Sequence, residues 1–259
     1  MTVSLAELLD ASERIQSADH QSFNGFNGLH GGLAIAALVH QMRARVGADR
    51  RLVSVNGRFI RPLTGPIVVD ADVVRNGSTL TIACATASSE SGTSVEANAI
   101  FSAGSARRDP VFAPKMPSGI ADRPSAPVVQ IPPEFIPISQ RMEIRAATPE
   151  LPYSGSALPV LCGWIRLTDE VPAVEERITI LIDSLAPSYT ALLTELRAVP
   201  TIEMSIQLSA DAADSTFEWV LVRASTTSAD AHGFVRETID IWTEEGLHLA
   251  SCTQLRIVR

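Results

Sequence analysis

The sequence predicts an α+β protein made by duplication: one apolar helix followed by four strand-like runs, written twice along a chain of 259 residues. Three observations predict it. Prolines crowd the middle of the chain, 11 of its 16 falling between Pro110 and Pro159. On either side of that stretch the same order of elements repeats. Turn residues separate the runs at hairpin spacing.

In the first half, Leu33, Ala34, Ala37, Leu38 and Met42 recur at spacings of three and four, which predicts a helix over Gly31 to Arg45. Strands are expected at Leu52–Ile60, Ile67–Arg75, Thr79–Ser88 and Ser94–Ser102. Asn76-Gly77 between the second and third is a hairpin signal of the type I′ kind, whose two central residues need positive φ. Ser91-Gly92 marks the next turn. Proline fixes its own φ and lacks an amide donor, so about Ala106 to Ser139 reads as a linker over the surface. The expected organisation is therefore an N-terminal unit at 1–105, a proline-rich linker at 106–139 and a C-terminal unit at 140–259.

In the second half, Met142–Arg145 and Leu161–Leu167 read as strands. A helix is expected from about Glu175 to Leu185, with Pro187 just past its end. Four strands follow at Ile202–Leu208, Phe217–Ser225, Phe234–Trp242 and Leu247–Val258, with turns at Asp230 to Gly233 and Glu244 to Gly246. An apolar helix followed by an antiparallel meander suits a curved sheet wrapped around the helix, the hot-dog arrangement. Two such units can join their sheets and remove two exposed edges.

Composition bounds the function. Hydrophobic residues at 46% and charged residues at 19% fit a packed core rather than a disordered chain. A net charge of -8 speaks against nucleic acid, whose phosphates attract basic surfaces. Cys84, Cys162 and Cys252 stand far apart, with no metal-ligand spacing, and read as small buried residues in a reducing compartment. Met1 to Asp10 carries Glu7 and Asp10 and no long apolar run, and nothing reaches about 18 uninterrupted apolar residues. A cytoplasmic protein without signal peptide or membrane span is the expectation.

Two places carry chemistry. The second helix is apolar on nearly every face around Asp183, and a carboxylate buried there costs several kcal/mol if unpaired. Asp183 is a functional candidate; the alternative is that it caps the turn towards Pro187. The first helix opens with His30-Gly31-Gly32. Glycines there let a ligand approach the backbone, and free amides at a helix N-terminus favour developing negative charge. The alternatives are a plain turn after Asn27-Gly28 and a surface histidine at His30.

His30-Gly31-Gly32 before a small-residue helix resembles the start of the central helix in single hot-dog acyl-CoA thioesterases, where an Asp or Glu follows at a fixed distance. Counting nine residues from His30 reaches Val39, which cannot do that work. In the second half Asp183 suits the acidic position, but nine residues earlier stands Val174, followed by Glu175-Glu176 instead of Gly-Gly. In hot-dog dimers the site lies between units. Fused, the two halves would make one complete site from Gly31 or Gly32 and Asp183, and one dead site.

The chain is also similar to the double hot-dog acyl-CoA thioesterase II family. The resembling stretches are Trp164-Ile165-Arg166, Thr201 to Ser205, Glu218 to Leu221, Gly233 to Arg236 and Gly246 to Gln254, with Phe59 to Leu63 and Val74 to Gly77 in the first half. That resemblance implies fatty acid metabolism and a hydrolytic water held by Asp183, Thr201 and Gln254, with His30, Gly31 and Gly32 on the substrate. Taken singly, Thr201 could be an ordinary strand residue and Gln254 a solvent-facing one. His232 stands where many relatives have Arg. The resemblance implies no cofactor and no metal. The partner is an acyl-CoA, whose negative charge requires a local Arg or Lys cluster on this acidic chain. Exposed sheet edges predict a homodimer or higher homo-oligomer. Two competing functions are a hot-dog enoyl-CoA hydratase or dehydratase, for which Ser188 stands where such relatives place a His, and a non-catalytic acyl-CoA binding protein.

Overall fold

The computed structural model describes residues 3–16, 20–104 and 112–259. The start of the expected linker, 106–111, lies outside the described residues. After a short helix α1 (Leu5–Asp10) and strand β1 (Arg14–Ile15), the first half consists of helix α2 (Gly31–Val46) and strands β2 (Arg51–Phe59), β3 (Ile67–Asn76), β4 (Leu80–Ser89) and β5 (Gly92–Ser102). The second half holds β6 (Met142–Ala146), β7 (Val160–Leu167), helix α3 (Val174–Leu181), and strands β8 (Thr201–Leu208), β9 (Val220–Ala229), β10 (Phe234–Thr243) and β11 (His248–Ile257).

Among the described residues, eleven strands form one antiparallel sheet in the order β1-β3-β4-β5-β2-β8-β11-β10-β9-β7-β6. The expected meander is thus incomplete. In each half only the last three strands follow one another, and the first strand after the helix comes back beside the last. That return puts β2 and β8 at the centre, where they pair antiparallel with Asn56 opposite Ser205 and join the halves into one sheet. Each would otherwise present an open edge. The hairpin at Asn76-Gly77 also forms, but by another turn. Three residues connect β3 to β4, and neither Asn76 nor Gly77 has a positive φ. The Gly77 amide donates to the Leu80 carbonyl at 3.0 Å, and Thr81 Oγ1 donates to Asn76 Oδ1 at 3.0 Å. An asparagine side chain engaged in this way supports a longer turn than a two-residue type I′ loop.

Helix α2 is buried from Gly32 to Val39, with Leu33 to Val39 almost fully hidden from solvent. Only a helix covered on all sides is apolar all round; its cover is α3 on one side and β3, β4 and β5 on the other. The proline-rich stretch from 112 onwards does more than span a gap. It crosses the sheet face opposite the helices, where Trp164 Nε1 donates to the Ala121 carbonyl at 2.9 Å and Trp242 Nε1 to the Pro114 carbonyl at 3.0 Å. Further on, Val129 N donates to the Ile144 carbonyl, and Ala146 N to the Pro127 carbonyl, so the stretch lines the outer edge of β6. Proline suits an edge because no ladder donor is missed there.

The two helices are also tied by buried charges. At the start of α3, Glu175 accepts from Arg43 and, at 3.0 Å, from the Leu52 amide, while Glu176 meets His40 Nδ1 at 3.0 Å. Carboxylates at a helix N-terminus sit well with its dipole. The bond to Glu176 raises the His40 pKa; burial and Arg43 oppose this, and Asp10 adds to it. A group held above its unfolded value near 6.5 stabilises the fold fully below that pH, and the contribution fades as pH climbs through the raised value. Denaturant unfolding of the wild type and His40→Gln should therefore show a larger stability gap at pH 6 than at pH 9.

Candidate active site

Helix α3 is shorter than expected. Its last regular bond runs from the Ile182 amide to the Ile178 carbonyl, and the Ser184 amide and hydroxyl both turn back to the Leu181 carbonyl. A serine that competes for a helix carbonyl helps end the helix. Asp183 therefore stands in the turn that closes α3 and not on the helix itself. Its carboxylate points at the start of α2, where Oδ2 accepts from the Gly32 amide at 2.8 Å. Its side chain is 9% exposed.

The glycines permit this approach. A Cβ on Gly31 would stand 2.7 Å from Asp183 Oδ2, and one on Gly32 would stand 2.7 Å from the Thr179 carbonyl oxygen and 2.9 Å from Asp183 Cβ. His30 is the N-cap of α2. Its Nδ1 accepts from the Leu33 amide at 3.3 Å, so in this arrangement the ring proton lies on Nε2, which donates to the Asp183 carbonyl oxygen at 2.9 Å. His30 thus holds the backbone of Asp183, and Nε2 lies 3.8 Å from Oδ2. Of the first four amides of α2, Ala34 bonds the His30 carbonyl, Leu33 bonds His30, and Gly32 bonds Asp183. The half-buried Gly31 amide makes no hydrogen bond among the described residues.

The structure brings the other two expected residues to the same carboxylate. Gln254, on β11 and 2% exposed, donates from Nε2 to Asp183 Oδ1 at 2.9 Å. Thr201, first residue of β8, donates to Gln254 Oε1 at 2.9 Å. Val39, the counterpart of Asp183 in the opposite pairing, is fully buried among apolar neighbours, and the carboxylates of Glu175 and Glu176 fill the far end. His232 lies exposed in the β9–β10 turn, its amide bonded to Asp230.

Two residues escaped the reading of the sequence. Arg256 donates from Nη1 to Thr201 Oγ1 at 2.8 Å and from Nε to Glu237 Oε2 at 2.7 Å, and both side chains are buried. A signal was present: Arg256 follows Gln254 by two positions and so shares its strand face. Glu237 falls between the buried Val235 and Ile239, at an inward position where an acid needs a partner. An apolar cavity of about 70 Å³ begins one residue past Asp183, lined by Ser184, Leu185, Ala186, Ile131, Ile144 and Ala146 among others.

On the opposite sheet face, Ser209 meets His248 Nδ1 at 2.8 Å and Asp240 meets Nε2 at 3.1 Å. Burial pushes the Asp240 carboxyl up, but the bonds from His248 and Ser251 outweigh it and hold the group below its usual range. Cys84, Cys162 and Cys252 are free, and burial pushes the Cys162 thiol up to about 12. No group of His, Cys, Asp and Glu among the described residues is arranged to hold a metal ion. No helix among them is long and apolar enough to cross a membrane.

Comparison with known proteins agrees with this architecture. The acyl-CoA thioesterase N-terminal domain matches residues 20–102, and the acyl-CoA thioesterase C-terminal domain matches residues 117–258. The chain belongs to the acyl-CoA thioesterase family, as a tandem hot-dog thioester hydrolase. Among solved structures it is similar to a thioesterase II described as putative from Thermobifida fusca, at 19% identity, TM-score 0.80 and 100% of both chains. It is also similar to a hot-dog protein of unknown function from Alicyclobacillus acidocaldarius, at 17% identity, TM-score 0.79, 95% of this chain and 91% of that one. A third is the acyl-CoA thioesterase II TesB2 from Mycobacterium marinum, at 18% identity, TM-score 0.72, with 95% and 92% covered. No curated protein matches the chain. The close contact at Gly32 has a direct consequence. Gly32→Ala should lower the melting temperature by several degrees, because backbone carbonyls bound the space on the α3 side, and thermal unfolding measures it.

Proposed function

We propose that this chain hydrolyses acyl-CoA thioesters with a water held by Asp183, Thr201 and Gln254, and that the free Gly31 amide receives the developing oxyanion. The observation that carries this reading is the hydrogen bond from Gly32 to Asp183, which seats the carboxylate of one half at the helix start of the other. A carboxylate offers about four acceptor positions, and Asp183 uses two of them on Gly32 and Gln254. Gln254 keeps a second amide hydrogen and Thr201 keeps a second lone pair. A water between them can accept from the amide and give its proton towards Asp183. The thiol leaving group, with a pKa of about 8.5 by analogy with cysteine, departs as thiolate with little acid assistance. Alignment of water and carbonyl is then the main task, and an amide at a helix N-terminus is suited to a tetrahedral oxyanion.

His30 acts in this scheme by fixing the Asp183 backbone. Its closeness to Asp183 gives the His and Asp pair of a hydratase by another route than the Ser188 position. Both ring nitrogens are engaged, however, one as acceptor and one as donor, which leaves no free nitrogen to move a substrate proton. Residues 1–105 and 140–259 are taken as the two units and 106–139 as the linker. The assignment extends to cytoplasmic fatty acid metabolism and a homo-oligomer, with no cofactor required. The acyl group is assigned to the cavity beyond Ser184.

Thiol release from acyl-CoAs of graded length tests the reading. Asp183→Asn should lower kcat by at least about 100-fold, and Thr201→Ala and Gln254→Ala by about 10-fold each, with KM little changed. Full turnover in all three variants would remove the site, and acyl-CoA binding without any thiol release would make the protein a carrier. Ala146→Leu should raise KM roughly tenfold for longer acyl chains while sparing short ones.

A further inference from the structure

We propose that the buried Arg256–Glu237 pair is the positioning element that sets the direction of the hydrogen bonds running from Thr201 through Gln254 to Asp183; this rests on the assignment of Asp183, Thr201 and Gln254. A guanidinium can only donate. With Arg256 Nη1 at 2.8 Å, Thr201 Oγ1 must accept there, and its single proton is turned to Gln254 Oε1 at 2.9 Å. The oxygen of Gln254 is thereby committed to Thr201, and its NH₂ group faces Asp183 Oδ1 at 2.9 Å. Without a fixed donor behind it, the threonine hydroxyl is free to rotate. The Gln254 amide could then turn over and present its oxygen to the carboxylate.

Glu237 completes the device. Its side chain is wholly buried, Oε2 accepts from Arg256 Nε at 2.7 Å, and Oε1 accepts from the Ser188 amide at 2.5 Å. One carboxylate thus fixes the guanidinium plane and also anchors the segment that leaves Asp183. Arg256 Nη2 lies 3.7 Å from Asp183 Oδ1, so the cation sits between two buried anions. Neither residue borders the Gly31 amide in the contacts of the site. Arg256 acts on Asp183 through Thr201 and Gln254 and by its own nearby charge, and Glu237 acts through Arg256 and the 184–188 segment.

The test is steady-state thiol release from one acyl-CoA, with thermal unfolding measured on every variant. Arg256→Met is expected to lower kcat about 10- to 100-fold with KM within about threefold. Arg256→Lys, which keeps a donor, should recover part of the loss. Because an unpaired Glu237 could unfold the single variant, the double variant Arg256→Met with Glu237→Leu removes both charges at once, a change that buried pairs often tolerate. A folded double variant should still lose kcat. Adding Thr201→Ala to Arg256→Met should cost little further activity, since both lie on one chain of bonds. Full kcat in the folded double variant, or independent additive losses with Thr201→Ala, overturns the inference. If Asp183→Asn also keeps full activity, it is the site assignment that has failed; if Asp183→Asn is inactive, the positioning role alone falls.

Discussion

Everything in the site depends on a carboxylate from one half of the chain resting against the first amides of a helix from the other half. Burying an unpaired carboxylate costs several kcal/mol. Here the cost is offset from three directions: the Gly32 amide and the dipole of α2, the Gln254 amide, and the nearby Arg256 guanidinium. The contact is possible only because both residues at the helix start lack a Cβ. The glycines serve as space for the acid before they serve as donors, which is why the Gly32 amide is already committed while the Gly31 amide has no partner among the described residues.

The same pseudo-symmetry explains the far end of the helix pair. Where the first half has Gly31-Gly32, the second has Glu175 and Glu176, and these carry their own carboxylates to the helix start. Their partners come from the other half as well: Arg43, His40 and the Leu52 amide. One end of the helix pair thus receives an acid across the interface, and the other supplies acids from within. The second arrangement is closed by ion pairs and contributes cohesion between the halves.

Much of the fold was legible because its signals are local. The helical spacing in α2 and the turn residues between the strand-like runs set element bounds to within a few residues. The limits were equally physical. Strand order depends on which edges meet, so nothing local told that β2 leaves its successor and pairs with β5 and β8. The end of α3 depended on Ser184 bonding back to Leu181, a competition that helix periodicity does not register. In the site, Asp183 stood out as a carboxylate within an apolar helix, whereas Thr201 and Gln254 came from a family resemblance; hydrogen bonds link the three in the structure. Arg256 and Glu237 were readable in principle as opposite charges on inward strand positions, but only once the register placing Glu237 beside Gln254 is known.

The seam between β2 and β8 acts as a ruler for the whole molecule. Each helix is docked on its own half of the sheet, so the offset between the helices is inherited from the pairing of these two central strands. A shift of one residue there would displace one half by about 3.3 Å and turn alternate side chains to the wrong face. That displacement exceeds the length of the bond between Gly32 and Asp183. Insertions or deletions in the loops at the rim leave this alignment alone, whereas a single added residue within either seam strand would uncouple the halves and split the core they share.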